Sequence, residues 1–182
     1  MYPNGMIPEM FLRYGELADI PQIVRLLNGA YRGESSRSGW TTEADLIGGD
    51  VRTNEQDVRK VMGKSGSVFL VLTDHQNGIA GCVNLRLEED SVYLGMFAVS
   101  PVLQGRGLGR KLMDAAEVWT GEHRRNRLKM WVISVRAELI EWYRRLGFQD
   151  TGQRIAFRED GLSGHHLRPL EFMVLEKEIA AI

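Results

Sequence analysis

Apolar positions recur along the chain with two periods, and the switches between them mark its elements. Phe11–Ala18 reads as a first strand. Ile23, Val24, Leu26, Leu27 and Ala30 then follow at helical spacing behind Pro21, a favoured first-turn residue, with Asp19 placed to cap it. Tyr31–Gly39 is polar and reads as a loop. Thr41–Ile47 and Asn54–Gly63 read as short helices, with Thr42 and Asn54 as caps. From Ser67 the pattern turns to β-type. Ser67–Leu72 leads into Asp74–Gly78, which ends in Asn-Gly, a strong hairpin signal. Ile79–Leu87 and Val92–Val99 are further strands. Leu108, Leu112, Ala115, Ala116 and Trp119 return to helical spacing, Leu128–Ser134 is a strand, and Leu139, Ile140, Tyr143 and Leu146 mark a short helix stopped by Gly147. Phe148–Phe157 and Leu170–Glu178 close the chain as strands. The order βααα-βββ-α-β-α-ββ predicts an α/β fold of the α+β type. Its sheet has about seven strands and is largely antiparallel.

A chain of 182 residues suits one core, and no linker divides it, so residues 1–182 are expected to form a single domain with its core at 11–178. Net charge is −1, which gives no global field for nucleic acid or membrane. The single cysteine, Cys82, excludes an internal disulfide and fits a reducing cytoplasm. Met1–Met10 shows no targeting pattern, and apolar runs such as Val92–Val99 are too short to span a bilayer. These features lead to the expectation of a cytoplasmic monomer or homodimer without a bound metal. Charge is uneven, however. Gln104–Phe148 holds ten Lys or Arg against five Asp or Glu, while the segments on either side are acidic. A basic middle suggests an anionic ligand, and a solvated helix face accounts for it equally well.

Within that basic segment, Val99–Arg110 reads VSPVLQGRGLGR. A strand ends, Pro101 turns the chain, and Gly105, Gly107 and Gly109 lead into a helix beginning near Leu108. Helix first turns carry unpaired N–H groups and a positive dipole end, so they favour phosphate, and glycine lets the backbone come close. Gln104, Arg106 and Arg110 add donors and charge. The Walker pattern fails, because no Gly-Lys-Ser/Thr follows. The Rossmann fingerprint fails on spacing, GxGxG rather than GxGxxG, and on the missing acid in Arg127–Trp131. A glycine turn without ligand stays open at this level.

Gln104-Gly105-Arg106-Gly107-Leu108-Gly109 resembles the pyrophosphate signature of the GCN5-related N-acetyltransferase (GNAT) family, Gln/Arg-x-x-Gly-x-Gly/Ala. Met96-Phe97-Ala98-Val99 with Ser100-Pro101 resembles that family's fourth strand, and Trp142-Tyr143-Arg144-Arg145-Leu146-Gly147-Phe148 its aromatic-Tyr-x-x-x-Gly-Phe segment. The resemblance covers residues 11–178 and is strongest at 92–148. It implies helices on both faces of the sheet and central strands splayed apart to form an acetyl-CoA cleft. It also implies transfer of an acetyl group from acetyl-CoA to a primary amine, of a small molecule or peptide, in a ternary complex. Backbone groups of Phe97, Ala98 and Val99 would pair with the pantetheine arm, and the amides of Gln104–Gly109, including Leu108, would hold the pyrophosphate.

The same resemblance makes Tyr143 the proton donor to the departing thiolate, although residues 139, 143 and 146 also share an apolar stripe. A free tyrosine titrates near ~10 and a thiol near ~8.5, so full transfer is uphill unless the phenol is perturbed. Arg136 and Arg144 are close enough in sequence to perturb it or to hold the thiolate directly. Two family features are absent. Arg136 stands where an asparagine usually does, and Gly95 and Met96 stand where a strand carboxylate often serves as base. Glu34, His165 and His166 are the remaining base candidates. His75, in the hairpin turn, and His123, in a basic helix end, read as surface residues. Tyr31, Glu34 and Trp40 are expected to line the amine site, between the 31–40 loop and the loop before the last strand. The missing carboxylate and Arg136 also suit a second reading, a catalytically silent acyl-CoA-binding or sensor domain.

Overall fold

The computed structural model describes residues 9–180. The expectation about a leader in Met1–Met10 therefore falls largely outside the described residues, as do the two ends of the 1–182 domain. The elements are β1 (Phe11–Tyr14), α1 (Ile20–Tyr31), α2 (Gly33–Ser36), β2 (Ile47–Gly48), α3 (Glu55–Met62), β3 (Ser67–Thr73) and β4 (Ile79–Leu87). They continue with β5 (Val92–Val99), α4 (Leu108–Glu122), β6 (Arg127–Ile133), α5 (Ala137–Arg145), β7 (Gln149–Ala156), β8 (His165–His166) and β9 (Glu171–Glu178). Seven strands form one sheet in the order β1-β3-β4-β5-β6-β9-β7, and β2 pairs with β8 in a separate ribbon. Every pairing is antiparallel except β5 with β6.

That exception positions the site. β5 and β6 pair only at Val92↔Leu128 and Tyr93↔Lys129 and then separate. The cause lies in β5. Asn84 faces Gly95 and Cys82 faces Ala98, so Met96 and Phe97 together oppose the single Val83. Met96 takes a left-handed φ of 44° to make this bulge. A bulge bends its strand and sharpens the local twist, which carries the end of β5 away from β6.

Helices cover both faces. α4 and α5 lay Leu112, Met113, Ala116, Trp119 and Ile140 on one side, in a cluster with Leu85, Leu94 and Leu128. α1 and α3 lay Ile20, Ile23, Leu27 and Val58 on the other, against Phe69 and Val71. Burying each such aliphatic side chain stabilises the fold by about 1.5–3 kcal/mol before entropy is counted. No helix among the described residues is long and apolar enough to cross a membrane.

Several local expectations need correction. β1 ends at Tyr14, and Leu17–Asp19 forms a 3-10 turn instead of extending the strand. Asp19 does not cap α1 with its side chain. It accepts the Glu16 N–H at 2.8 Å and pairs with Arg13 at 2.6 Å. Thr41–Ile47 is not a helix, because Glu43 is drawn inward by two arginines and Ile47 joins β2. Thr42 instead accepts the Ala44 N–H in a turn at 3.1 Å, and the polar Tyr31–Gly39 segment includes the short α2. Asn54 does cap α3, accepting the Asp57 N–H at 2.8 Å.

Candidate active site

The loop between β5 and α4 presents an open concave backbone. Gly105 and Gly107 have φ of 74° and 81°, and a Cβ on either would meet nothing within 4 Å. Only glycine takes this conformation at no steric cost, and the empty space in front of it is where a phosphate would sit. The first α4 bond runs from the Lys111 N–H to Gly107 C=O at 3.0 Å, so the N–H groups of Leu108, Gly109 and Arg110 are left for a ligand. These residues line a cavity of about 300 Å³ that continues along Phe97, Val99 and Trp142. The arrangement fits the pyrophosphate and arm of coenzyme A. Arg106 is exposed and outside the lining, and Arg110 lines it while paired with Asp114 at 2.8 Å.

Gln104 has a second role. Its Nε2 donates to Val99 C=O at 3.1 Å and its Oε1 accepts the Trp40 N–H at 2.6 Å, tying β5 to the segment after α2. Trp40 therefore lines the cavity that begins at the glycine loop, 6.4 Å from the Trp142 ring. Along β5, backbone groups alternate in direction. Ser100 N–H bonds to Ala80 C=O at 2.8 Å, and the Ala98 N–H faces the Cys82 sulfur. Ala98 thus spends its backbone groups on β4, while Phe97 and Val99 face the cleft. Their carbonyls accept the Tyr31 hydroxyl, at 2.7 Å, and the Gln104 Nε2, at 3.1 Å.

Tyr143 lies on α5 and is 4% exposed, inside the main core cluster. Its hydroxyl has no hydrogen-bond partner among the described residues, and its ring lines the cofactor cavity. Burial pushes this phenol above its ordinary value, with a smaller push from Tyr31 and a partial offset by Arg136. Tyr31, at the end of α1, is pushed up to about 12, by burial first and then by the Glu43 charge. Both phenols therefore stay protonated at any ordinary pH.

A second cavity, of about 290 Å³, opens on the other side of the β5–β6 gap. It shares Tyr31, Phe97, Arg136, Leu139 and Tyr143 with the first, and adds Glu43, Arg52, Tyr93, Trp131 and Phe172. At its edge is a buried ionic triad. Arg32, 2% exposed, ion-pairs with Glu43 and donates to Ser163 C=O at 3.2 Å. Arg136, 6% exposed, donates to Glu43 at 2.9 Å and to the Thr41 hydroxyl at 2.6 Å. The Nε atoms of both arginines are buried without a partner.

The base candidates fare poorly. Glu34 is a correction: its side chain is 93% exposed, 3.6 Å from Arg37, and lines neither cavity. His165 and His166 form β8, where His166 meets Glu159 at 2.9 Å, and neither lines either cavity. His75 is exposed against Phe11, and His123 stacks on Trp119 at 3.9 Å. The second cavity is walled by Glu43, Arg52, β5, β6 and Phe172, and of the expected amine-site residues only Tyr31 reaches it. Glu43 and Arg52 carried no sequence signal. Trp131 had one, since it breaks the apolar alternation of β6 by standing exposed between buried Met130 and Val132.

Comparison with known proteins adds to this geometry. Residues 50–168 match the family model described as the acetyltransferase (GNAT) domain. No curated protein matches the chain. Among solved structures, the fold is similar to the ribosomal-protein-S18-alanine N-acetyltransferase from Escherichia coli, at 16% identity over 96% of each chain with a TM-score of 0.70. It is also similar to nourseothricin acetyltransferase, at 19% identity over 94% of this chain and 99% of that one, TM-score 0.68. Ard1 from Thermoplasma volcanium matches at 16% identity over 94% and 98%, TM-score 0.68.

Proposed function

Because the chain belongs to the GNAT acetyltransferase family, we propose that it moves the acetyl group of acetyl-CoA directly to an amine bound across the β5–β6 gap. The observation that carries this reading is the meeting of the two cavities at Tyr31, Phe97, Arg136, Leu139 and Tyr143. One cavity begins at a phosphate-shaped loop. The other is an aromatic-walled chamber of small-molecule size.

Bound acetyl-CoA supplies the thioester carbonyl that the amine attacks and the thiolate that leaves. The chain's own groups then divide the work. The N–H groups of Leu108, Gly109 and Arg110 hold phosphate at the helix N-terminus. The N–H groups of Phe97 and Val99 orient the pantetheine arm as an added strand would be oriented. An N–H on this strand also polarises the carbonyl by offering a fixed donor to the developing oxyanion. Tyr143 gives its hydroxyl hydrogen bond to the sulfur. Its raised pKa makes it a persistent donor rather than a group that sheds its proton to a thiolate.

The acceptor chamber has no free carboxylate to serve as base, since Glu43 is held between two guanidinium groups. Its cationic lining takes over part of that task, because a positive neighbour favours release of the ammonium proton to solvent and so the neutral amine. The proton the nitrogen sheds after attack goes to the departing thiolate as the C–S bond breaks. The test is thiol release from acetyl-CoA across a panel of amines. A transferase releases thiol only when its acceptor is present. A silent acyl-CoA-binding domain is stabilised by acetyl-CoA and releases none with any amine.

A further inference from the structure

The acceptor chamber contains a cation that is left without an ion pair among the described residues. Of the arginines lining either cavity, Arg110 is paired with Asp114 and Arg136 with Glu43. Among the described residues Arg52 forms no ion pair, and its charge acts at longer range on Asp160. Its guanidinium lies over the Tyr31 ring, 5.6 Å from the centroid. Its backbone is nonetheless firmly placed. Asn28 on α1 accepts the N–H groups of Arg52 and Thr53 at 2.7 and 2.9 Å and donates to Thr53 C=O at 3.1 Å. Three hydrogen bonds therefore aim a segment whose side chain faces the chamber and meets no carboxylate within ion-pair distance.

The charge balance points the same way. Arg52 and Arg136 face the chamber against the single carboxylate of Glu43, which Arg32 also neutralises from behind. Arg136 adds a buried Nε–H with no partner. Arg52 is half-buried, and the Arg136 Nε–H is fully buried with an unmet bond, so an anion entering the chamber would find, among the described residues, one free cation and one free donor. The opposite wall is apolar and aromatic. Trp131 sits 5.6 Å from the Tyr93 ring and 6.1 Å from Phe172.

We infer that the acceptor is a free amino acid with an apolar or aromatic side chain, whose carboxylate is bound by Arg52 and whose side chain lies on Tyr93, Trp131 and Phe172. This inference rests on reading the second cavity as the acceptor site. A lone ammonium would face net positive charge there, whereas an amino carboxylate brings the missing anion. The same carboxylate fixes the amine's position relative to the gap.

The test uses the full chain and acetyl-CoA, reading thiol release for each of the apolar and aromatic amino acids beside its own carboxamide and its decarboxylated amine. The amino acid is expected to exceed both by about 10- to 100-fold in kcat/KM, the usual worth of a charge-assisted hydrogen bond. Arg52→Gln should erase that preference, chiefly through a rise in KM, and Arg52→Lys should keep part of it. In a second arm, calorimetry measures the N-acetyl amino acids and their amides binding to the CoA-saturated protein, with the acid about tenfold tighter or more. Amides or amines that serve as well as the acids would overturn the inference, as would an Arg52→Gln variant that loses all three classes equally. If no amine releases thiol, the transfer reading fails on its own, and the calorimetric arm still decides the carboxylate claim.

Discussion

At the scale of single residues, Tyr143 owes its chemistry to burial. Being 4% exposed, its phenol is pushed up and stays protonated, which is the form the proposed donor role requires. Tyr143→Phe should lower kcat roughly a hundredfold, the low end for removing one fixed donor to developing charge, and leave the KM for acetyl-CoA almost unchanged. The sign of the pKa shift makes a further claim. A raised phenol pKa places its titration beyond the alkaline range, so the loss should be equal at pH 7 and pH 10. Any wild-type decline there that disappears in the phenylalanine variant would show the phenol titrating and refute this assignment. Gly107 makes a separate prediction. At φ 81° with open space beyond it, Gly107→Ala meets no clash but adopts a disfavoured backbone. Unfolding in urea should register a loss of about 1–2 kcal/mol. The thermal shift given by CoA should shrink as well, because the new methyl occupies the phosphate side.

At the scale of elements, the ionic triad ties together the end of α1, the 41–43 segment and the start of α5. Glu43→Gln would leave two buried guanidinium groups facing each other. Breaking a buried pair typically costs about 3–5 kcal/mol, so chemical denaturation should show a loss of that order. A loss under 1 kcal/mol would mean that water already reaches the triad. This network also explains where sequence reading stopped. β3, β4, β5, β6, β9, α1, α4 and α5 carry clear apolar patterns and were legible because each presents a buried face, whereas β1 and β7 bury almost nothing. Thr41–Ile47 carries a helix-like pattern, but Glu43 is pulled inward by arginines at positions 32 and 136. No local pattern encodes a partner 93 residues away. β2 and β8, two residues each, are equally invisible, since each exists only by pairing with the other. In the site, Gln104–Gly109 and Tyr143 were legible because local backbone chemistry and a short motif define them. Arg52 was not, because what matters there is the absence of an ion-pair partner, which only the folded structure reveals.

At the scale of the molecule, one bulge at Met96–Phe97 opens the sheet, and the two cavities form on either side of the opening. The basic segment 104–148 supplies α4 and α5, which line the first cavity, and β6, which lines the second, and of its ten basic residues Arg110 and Arg136 reach the first cavity. Acetyl-CoA at a hundredfold excess over its Kd should add about 2.7 kcal/mol of stability. For a chain of this size that is a rise of about 5–11 °C in Tm. The most direct test of the central claim is to quantify free thiol and N-acetylated product in the same reaction across an amine panel that includes the free amino acids. The account predicts acceptor-dependent turnover with one thiol released per N-acetyl group formed. A chain that binds acetyl-CoA tightly yet releases no thiol with any acceptor, or releases thiol without acetylating one, would contradict it.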